Sequence, residues 1–312
     1  MPTLTEFRAR LLESPAPFRR IAVAGSSGYV GARLVDRLVA GGRTVHSLAR
    51  SARPSKPGVL DFGADVQDPA SLRPALQDAD AAVYLVHAMA EDGDFAEKEA
   101  QGARNFAQAC ADAGVRRIVF LGALRIDSDD LSPHLASRHR TGDALRSAGV
   151  PVTELRASIV LGAGSLPFRI LASLVERLPV MICPKWVSTP CQPIGIDDVL
   201  EYLFLAATRP WGGGGVYEVG GERATTYGDL MREYARQRGL RRLMVPVPVL
   251  TPRLSSMWLR LVTPATAQIG RHLVEGLRNA TVVRDRRALQ EFAVRPIDFP
   301  EAMARAISGE GK

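Results

Sequence analysis

The chain has 312 residues, 46% hydrophobic and 23% charged, enough to bury a large core in one domain or two coupled lobes, and no run of about 18 uncharged apolar residues points to a transmembrane helix. The formal net charge is +7, but Lys and Arg are spread thinly, with small clusters at Arg116-Arg117, Arg241-Arg242 and around Arg284, Arg286 and Arg287 and no basic run interleaved with aromatics; a solvated Arg-rich surface is expected, not a nucleic-acid partner. The odd set Cys110, Cys183 and Cys191 lacks metal-ligand spacing and the five histidines form no HxH or HxxxH pair, so neither a disulfide framework nor a metal site is expected, and a reducing cytoplasm fits.

From the N-terminus, Leu4, Phe7, Leu11 and Leu12 mark one side of a short amphipathic helix ending at Pro15 and Pro17, and the charges of Glu6, Arg8, Arg10 and Glu13 break any signal-peptide core. Ile21 to Ala24 is a short buried-strand run. Val30, Leu34, Val35, Leu38 and Val39 then repeat at helical spacing until Gly41-Gly42. Thr44 to Ala49 and Ala81 to Val86 read as further strands. Ala96, Ala100, Ala103, Ala107 and Cys110 trace a helix face of small side chains that would pack close to a sheet, ending at Gly114. A strand at Arg117 to Leu121, a helix at Thr141 to Ala148 and a strand at Val152 to Leu155 continue the rhythm. Repeated strand–helix–strand units imply an α/β fold, a doubly wound parallel sheet of Rossmann type.

From about Leu161 the rhythm changes. Pro167, Pro179, Pro184, Pro190 and Pro193 accompany few clear strands. A helix is expected over Asp198 to Ala207, a strand over Val216 to Val219, and a helix carrying Tyr227, Leu230, Met231 and Tyr234. Val245 to Val249 is extended and proline-rich, and Leu254, Met257, Trp258 and Leu261 mark a later helix face. Residues 1–160 and 192–220 are assigned to the dinucleotide-binding domain, and 161–191 and 221–312 to a smaller, mostly helical lobe for substrate or partner.

The chemistry begins at Gly25-Ser-Ser-Gly28-Tyr-Val-Gly31, between the first strand and its helix. A helix start presents unpaired N–H groups and a partial positive charge, where a pyrophosphate sits well if the backbone can approach it. Gly25 permits the tight turn, Gly28 the close approach and Gly31 the helix–strand packing, so Gly25, Ser26, Ser27, Gly28, Tyr29, Val30 and Gly31 are the expected cofactor cradle. The spacing alone is weakly specific; its place between an apolar strand and an amphipathic helix strengthens it. An NAD-specific site usually carries Asp or Glu about 20 residues beyond the loop. Here the second strand runs out at Leu48-Ala49-Arg50-Ser51-Ala52-Arg53, with no acid before Asp61. A guanidinium pairs with a 2′-phosphate that a carboxylate would repel, so Arg50, assisted by Ser51 and Arg53, points to NADP(H).

These motifs resemble the atypical short-chain dehydrogenase/reductase family, in the group that includes NmrA-like proteins, over nearly the whole chain. Val23 to Gly31 matches its glycine loop, and Gly63-Ala-Asp-Val-Gln-Asp68 its acidic turn. The resemblance implies that Asp65 and Val66 meet the adenine, and that Tyr84-Leu-Val-His87, with Val86, runs beneath the cofactor. Leu155-Arg-Ala-Ser158 would pass the nicotinamide end, and Gln192 to Asp198 would return the chain to the cofactor domain. Active members of the wider superfamily pair a tyrosine with a lysine four residues on, to move the proton and hold the ribose. On this chain the corresponding positions are Leu135 and His139, and the fifth strand ends at Ala123 without the usual serine.

Two histidines are the remaining catalytic candidates: His139, which is equally well an exposed residue between two arginines, and His87, just past a strand end where parallel sheets gather ligands. Tyr84 reads as core and Arg156 as half of a buried structural pair. Asp129-Asp130 carries little catalytic weight, Ser158 and Ser165 lack a readable His–Asp partner, and Trp186 and Met181 either line a pocket or pack the lobe. The leading expectation is an NADP(H)-dependent oxidoreductase acting on a small, largely apolar substrate. A conjugated double bond or imine is favoured, because it asks least proton transfer of the protein. The alternative is a non-catalytic NADP(H) sensor or structural subunit, meeting a protein partner or a second copy as a homodimer through the basic surface and the helices near Trp258 and Leu261. An isomerase or dehydratase is less favoured without an acid/base pair.

Overall fold

The computed structural model describes residues 18–51, 56–87, 95–124, 133–209, 214–247 and 279–309. The expected N-terminal helix, Arg53, Asp129-Asp130 and the Trp258–Leu261 face lie outside them. Seven strands form the central sheet: β1 (Arg20–Ala24), β2 (Thr44–Ala49), β3 (Val59–Gly63), β4 (Ala81–Tyr84), β5 (Ile118–Ala123), β6 (Val152–Ala157) and β11 (Gly215–Val219), in the order β11-β6-β5-β4-β1-β2-β3. Every pairing within it is parallel. Strand order reverses between β1 and β4, which opens a crevice beyond their carboxyl ends.

Parallel strands joined by helical crossovers are covered on both faces, and this explains their unbroken apolar runs. Against one face lie α1 (Tyr29–Ala40) and α6 (Ile196–Thr208), packing Leu34, Leu38, Tyr202 and Leu203 on Ile21 and Val23. Against the other lie α2 (Pro69–Leu76), α3 (Phe95–Asp112) and α4 (Pro133–Leu145), with Leu72, Phe106 and Leu145 on Tyr84 and Phe120. The small residues of α3 permit the close approach expected of them; a Cβ on Gly102 would fall 2.8 Å from the Val66 side chain.

The second lobe holds α5 (Leu166–Arg177), α7 (Tyr227–Gln237) and α9 (Phe299–Ser308) around Phe168, Leu171, Trp186, Leu230, Tyr234 and Met303. Its proline-rich stretches still pair, contrary to the scarcity of strands expected there. β7 (Val160–Leu161) joins β10 (Ile194–Gly195), β9 (Pro190–Cys191) joins β12 (Thr225–Thr226), and β8 (Val180–Cys183) joins β13 (Leu243–Pro246). The boundary is also less simple than the sequence suggests. The short helix α8 (Arg287–Glu291) and the residues after it bring Ala288, Phe292 and Val294 into the core of the large sheet, where Phe292 meets the edges of Tyr202 and Tyr217. Asp198 ties the lobes together by accepting the Ile297 N–H at 3.1 Å.

Candidate functional site

The glycine loop sits at the strand-order reversal. Gly25 has φ +80°, a conformation that L side chains rarely adopt, and a Cβ there would lie 2.8 Å from the Leu85 carbonyl carbon. A Cβ on Gly31 would lie 2.1 Å from the Gly25 oxygen, so helix α1 starts hard against the strand it leaves. The Gly28 N–H donates to Gly25 O at 3.0 Å. Gly28 is also the N-cap of α1, and no side chain caps that helix. Asp68, Ser165, Thr226 and Asp298 cap α2, α5, α7 and α9 with their own oxygens, whereas α6, at Gly195, and α8, at Arg286, start without a side-chain cap as α1 does. An uncapped helix start behind a turn stripped of Cβ atoms fits a pyrophosphate.

Around this loop the expected residues divide. The Ser26 hydroxyl points inward, donating to Leu48 O at 3.0 Å and accepting from Ser47 Oγ at 3.0 Å, so it fixes the loop to β2. Ser27 is exposed; Val30 is half-buried and faces the cavity described below. The Tyr29 ring lies under the Arg33 guanidinium at 4.1 Å, with its hydroxyl against Gly162. Arg50 and Ser51 are exposed at the end of β2. Asp65 accepts the Gln67 N–H through Oδ1 at 2.9 Å, and its own N–H donates to Ser71 Oγ at 2.9 Å, so its carboxylate shapes the turn after β3. The Val66 carbonyl is held by Asn105 Nδ2 at 2.9 Å, and the Val86 N–H abuts the inner side of Gly25.

From the loop a cavity of about 500 Å³ runs into the second lobe. Its floor is the carboxyl ends of β4, β5 and β6, at Leu85, Gly122 and Ala157, and its far wall includes Leu174, Trp186 and Met231. His87 lines it. The His87 Nδ1 lies 2.8 Å from Oε1 of Glu99, which α3 buries to 5% exposure. Ser137 donates to the other carboxylate oxygen. Burial alone would raise the Glu99 pKa, but hydrogen bonds from His87 and Ser137 and the charges of His87 and Arg138 outweigh it and hold the carboxyl ionised, below its ordinary range. An ionised carboxylate only accepts, so the His87 Nδ1 carries the proton of this hydrogen bond.

Arg138 is buried beneath this pair, donating to Leu121 O and lying 4.7 Å over the Phe120 ring. Burial lowers its pKa, against the neighbouring charge of Glu99. Leu135 and Arg138 face the cavity from α4, whereas His139 is not among the lining residues. The structure therefore brings His87, and not His139, to the crevice. Arg156 pairs with the fully buried Glu154 at 2.6 Å, as a structural pair should, and Arg146 completes that cluster. Ser158 and Trp186 line the cavity, while Met181 packs the lobe core. The sequence reading missed Glu99, Tyr227 and Thr281. Glu99 had one signal, an acid beside Ala100 on the small-residue helix; Thr281 had none. Among the described residues no group of three His, Cys, Asp or Glu side chains could hold a metal ion, and no helix is long and apolar enough to cross a membrane.

Residues 25–164 match a family model described as NAD(P)H-binding. Cinnamoyl-CoA reductase 1 of Oryza sativa subsp. japonica is 32% identical over 111 residues, 32% of this chain and 33% of that protein, so the match spans only about a third of the relative. The photosystem II assembly factor Ycf39 of Synechocystis sp. is 24% identical, covering 77% of this chain and 74% of the relative. A (4-alkanoyl-5-oxo-2,5-dihydrofuran-3-yl)methyl phosphate reductase of Streptomyces griseus is 28% identical over 70% and 74%. Among solved structures, the Escherichia coli NADPH-dependent quinone oxidoreductase QOR2, complexed with NADPH, superposes with a TM-score of 0.72 at 20% identity, covering 92% of this chain and 99% of that one. At that identity the likeness shows the fold.

Proposed function

Because the chain belongs to an NAD(P)H-binding family of atypical short-chain dehydrogenase/reductase type, we propose that it is an NADP(H)-dependent reductase of a small, largely apolar organic substrate, working without the tyrosine–lysine pair, in the manner of an NmrA-like enzyme. One observation carries this reading: a single cavity runs from the glycine loop to an apolar chamber, and His87, held by Glu99, faces it at the end of β4. Gly25 to Gly31 would hold the pyrophosphate, Arg50 and Ser51 the 2′-phosphate, and Asp65, Val66 and Val86 the adenine side. When bound, the dihydronicotinamide supplies a hydride. The chain must then supply a proton and exclude water. The His87 imidazole in its protonated form is the proton source, Glu99 keeps the ring oriented and balances its charge, and Leu135 and Trp186 keep the chamber dry. With this donor in place a carbonyl becomes as suitable a substrate as an imine or a conjugated double bond. The three buried thiols fit a reducing cytoplasm.

Titration with NADPH and NADH, followed by a panel of enones, quinones and imines monitored by loss of reduced-cofactor absorbance, tests the reading. Turnover with NADPH preferred by about tenfold is expected. Tight NADPH binding with no turnover across the panel would favour a non-catalytic sensor instead. That second reading has its own observation. The β8–β13 ladder turns Val180, Ile182, Leu243 and Val245 outward on one face, at 52%, 41%, 60% and 38% exposure, as a surface for a protein partner or a second copy would.

A further inference from the structure

Opposite His87, the cavity wall carries hydroxyls from three distant segments: Ser158 at the end of β6, Tyr227 at the start of α7, and Thr281, which forms a bridge beside Cys191. Ser158 Oγ and Thr281 Oγ1 are 2.7 Å apart across 123 residues of sequence, and Tyr227 lines the same cavity. Tyr227 and Thr281 are buried, at 5% and 8% exposure, and Ser158 is half-buried. Around them the chamber is apolar, with Ile159, Ile170, Leu171, Leu174, Trp186 and Met231.

Hydroxyls on such a wall cost free energy unless their protons find acceptors. Two hydroxyls joined by one hydrogen bond carry two protons, so one proton is left over. Of the two, Ser158 is at the end of β6 and is the less buried, so it is the one positioned to donate outward, with Thr281 Oγ1 behind it. Among the described residues Thr281 is the one hydrogen-bond partner of the Ser158 side chain.

We propose that this pair is the anchor for a carbonyl oxygen of the substrate, donated to by Ser158, with the apolar remainder of the molecule lying along α5 and Met231. The proposal rests on the reductase reading for its orientation, since it places the carbonyl between the hydroxyl pair and His87. It also narrows the substrate class to uncharged ketones, aldehydes or enones. Among the described residues the only Lys or Arg lining the cavity is Arg138, already engaged by Leu121 O and Phe120, so none of them offers a phosphate group a spare cation.

The test is calorimetric and needs no turnover. Wild-type protein, with and without NADP⁺, is titrated with 4-phenyl-3-buten-2-one and with 1-phenyl-1-butene, which lacks the oxygen. The ketone should bind about tenfold more tightly, the scale of one hydrogen bond to a buried donor. Ser158→Ala should remove most of that preference, Thr281→Val rather less, and Tyr227→Phe least, with melting temperatures confirming that each variant folds. Equal affinity for the two probes, no binding of either, or a preference that survives both Ser158→Ala and Thr281→Val overturns the proposal. So does a Ser158→Ala variant that binds NADP⁺ about tenfold more weakly while keeping the preference, because the pair would then serve the cofactor. If NADP⁺ fails to bind but the ketone preference is present and Ser158-dependent, the anchor stands and the reductase reading falls.

Discussion

The two ends of the cavity are built by opposite means. At the loop end the contact surface is backbone: Gly25, Gly28 and Gly31 work by what they lack, and the Ser26 hydroxyl turns away to fix β2. At the lobe end the backbone is remote and everything depends on side chains, with His87, Ser158, Tyr227 and Thr281 set among apolar neighbours. A surface made of backbone tolerates no added atom but is indifferent to chemistry. A surface made of side chains can be resized, yet loses its purpose when one polar atom goes. Cofactor binding and substrate handling should therefore fail separately.

The largest expected effect is steric. Gly31→Ala would put a methyl 2.1 Å from a backbone oxygen that cannot swing aside, and NADPH affinity should fall by more than about 100-fold, with stability lowered by about 3 kcal/mol. Gly28→Ala, 3.3 Å from the same oxygen, should cost much less. Fluorescence titration and thermal melts measure both; equal effects would mean that the loop is not packed as described.

Next comes His87→Gln. It should reduce kcat by about 100-fold and leave the NADPH dissociation constant unchanged, and Glu99→Gln should lower kcat by about tenfold in the same way. A parallel loss of NADPH affinity in either variant would erase the distinction between the two ends.

Two buried carboxylates sharpen the comparison through pH. Burial, helped by the charges of Asp197 and Glu301, pushes Asp198 up from 3.8 to about 6, against the backbone N–H of Ile297 and the charge of Arg305. Its folded pKa exceeds its unfolded one, so the folded state holds the proton longer. Its contribution to stability is full below about pH 4, declines as pH rises to about 6, and is a constant penalty above that. Asp198→Asn should therefore raise stability by about 2 kcal/mol at pH 7 and by little at pH 4, read from denaturant melts at both. Glu99 has the opposite sign, being depressed by its partners, and its stabilisation disappears as pH falls below the carboxylate range.

The smallest effect belongs to the one side chain expected to matter near the loop. Arg50→Ala should abolish a preference of about tenfold for NADPH over NADH without touching the ketone preference of the chamber. Equal affinities in the unaltered protein would remove Arg50 from the site.

Much of the fold was legible in the residues. The strand before Gly25, the helix carrying Leu34 and Leu38, and the small-residue helix through Ala100 and Ala103 all lie where periodicity places them. That Arg156 is half of a buried pair was also readable; the structure supplied its partner, Glu154, two residues back on the same face of the strand. The second lobe was less so: β7, β8 and β9 are two to four residues long, too short for an alternation to declare itself, and Phe292 returns to the large sheet only because Tyr202 and Tyr217 leave it a place. Of the two candidate histidines, spacing could not choose. The choice follows from α3 bringing Glu99 under His87 while Leu135 and Arg138 take the cavity side of α4.

The sequence by itself determined the glycine turn and the helix start behind it, proposed above as a phosphate cradle, because a left-handed turn and a bare helix start are local properties that seven consecutive residues can specify. Only the tertiary structure decided what faces that cradle. The contact between Ser158 and Thr281 spans 123 residues, and no local pattern records a meeting that depends on how the second lobe folds back over the ends of the strands.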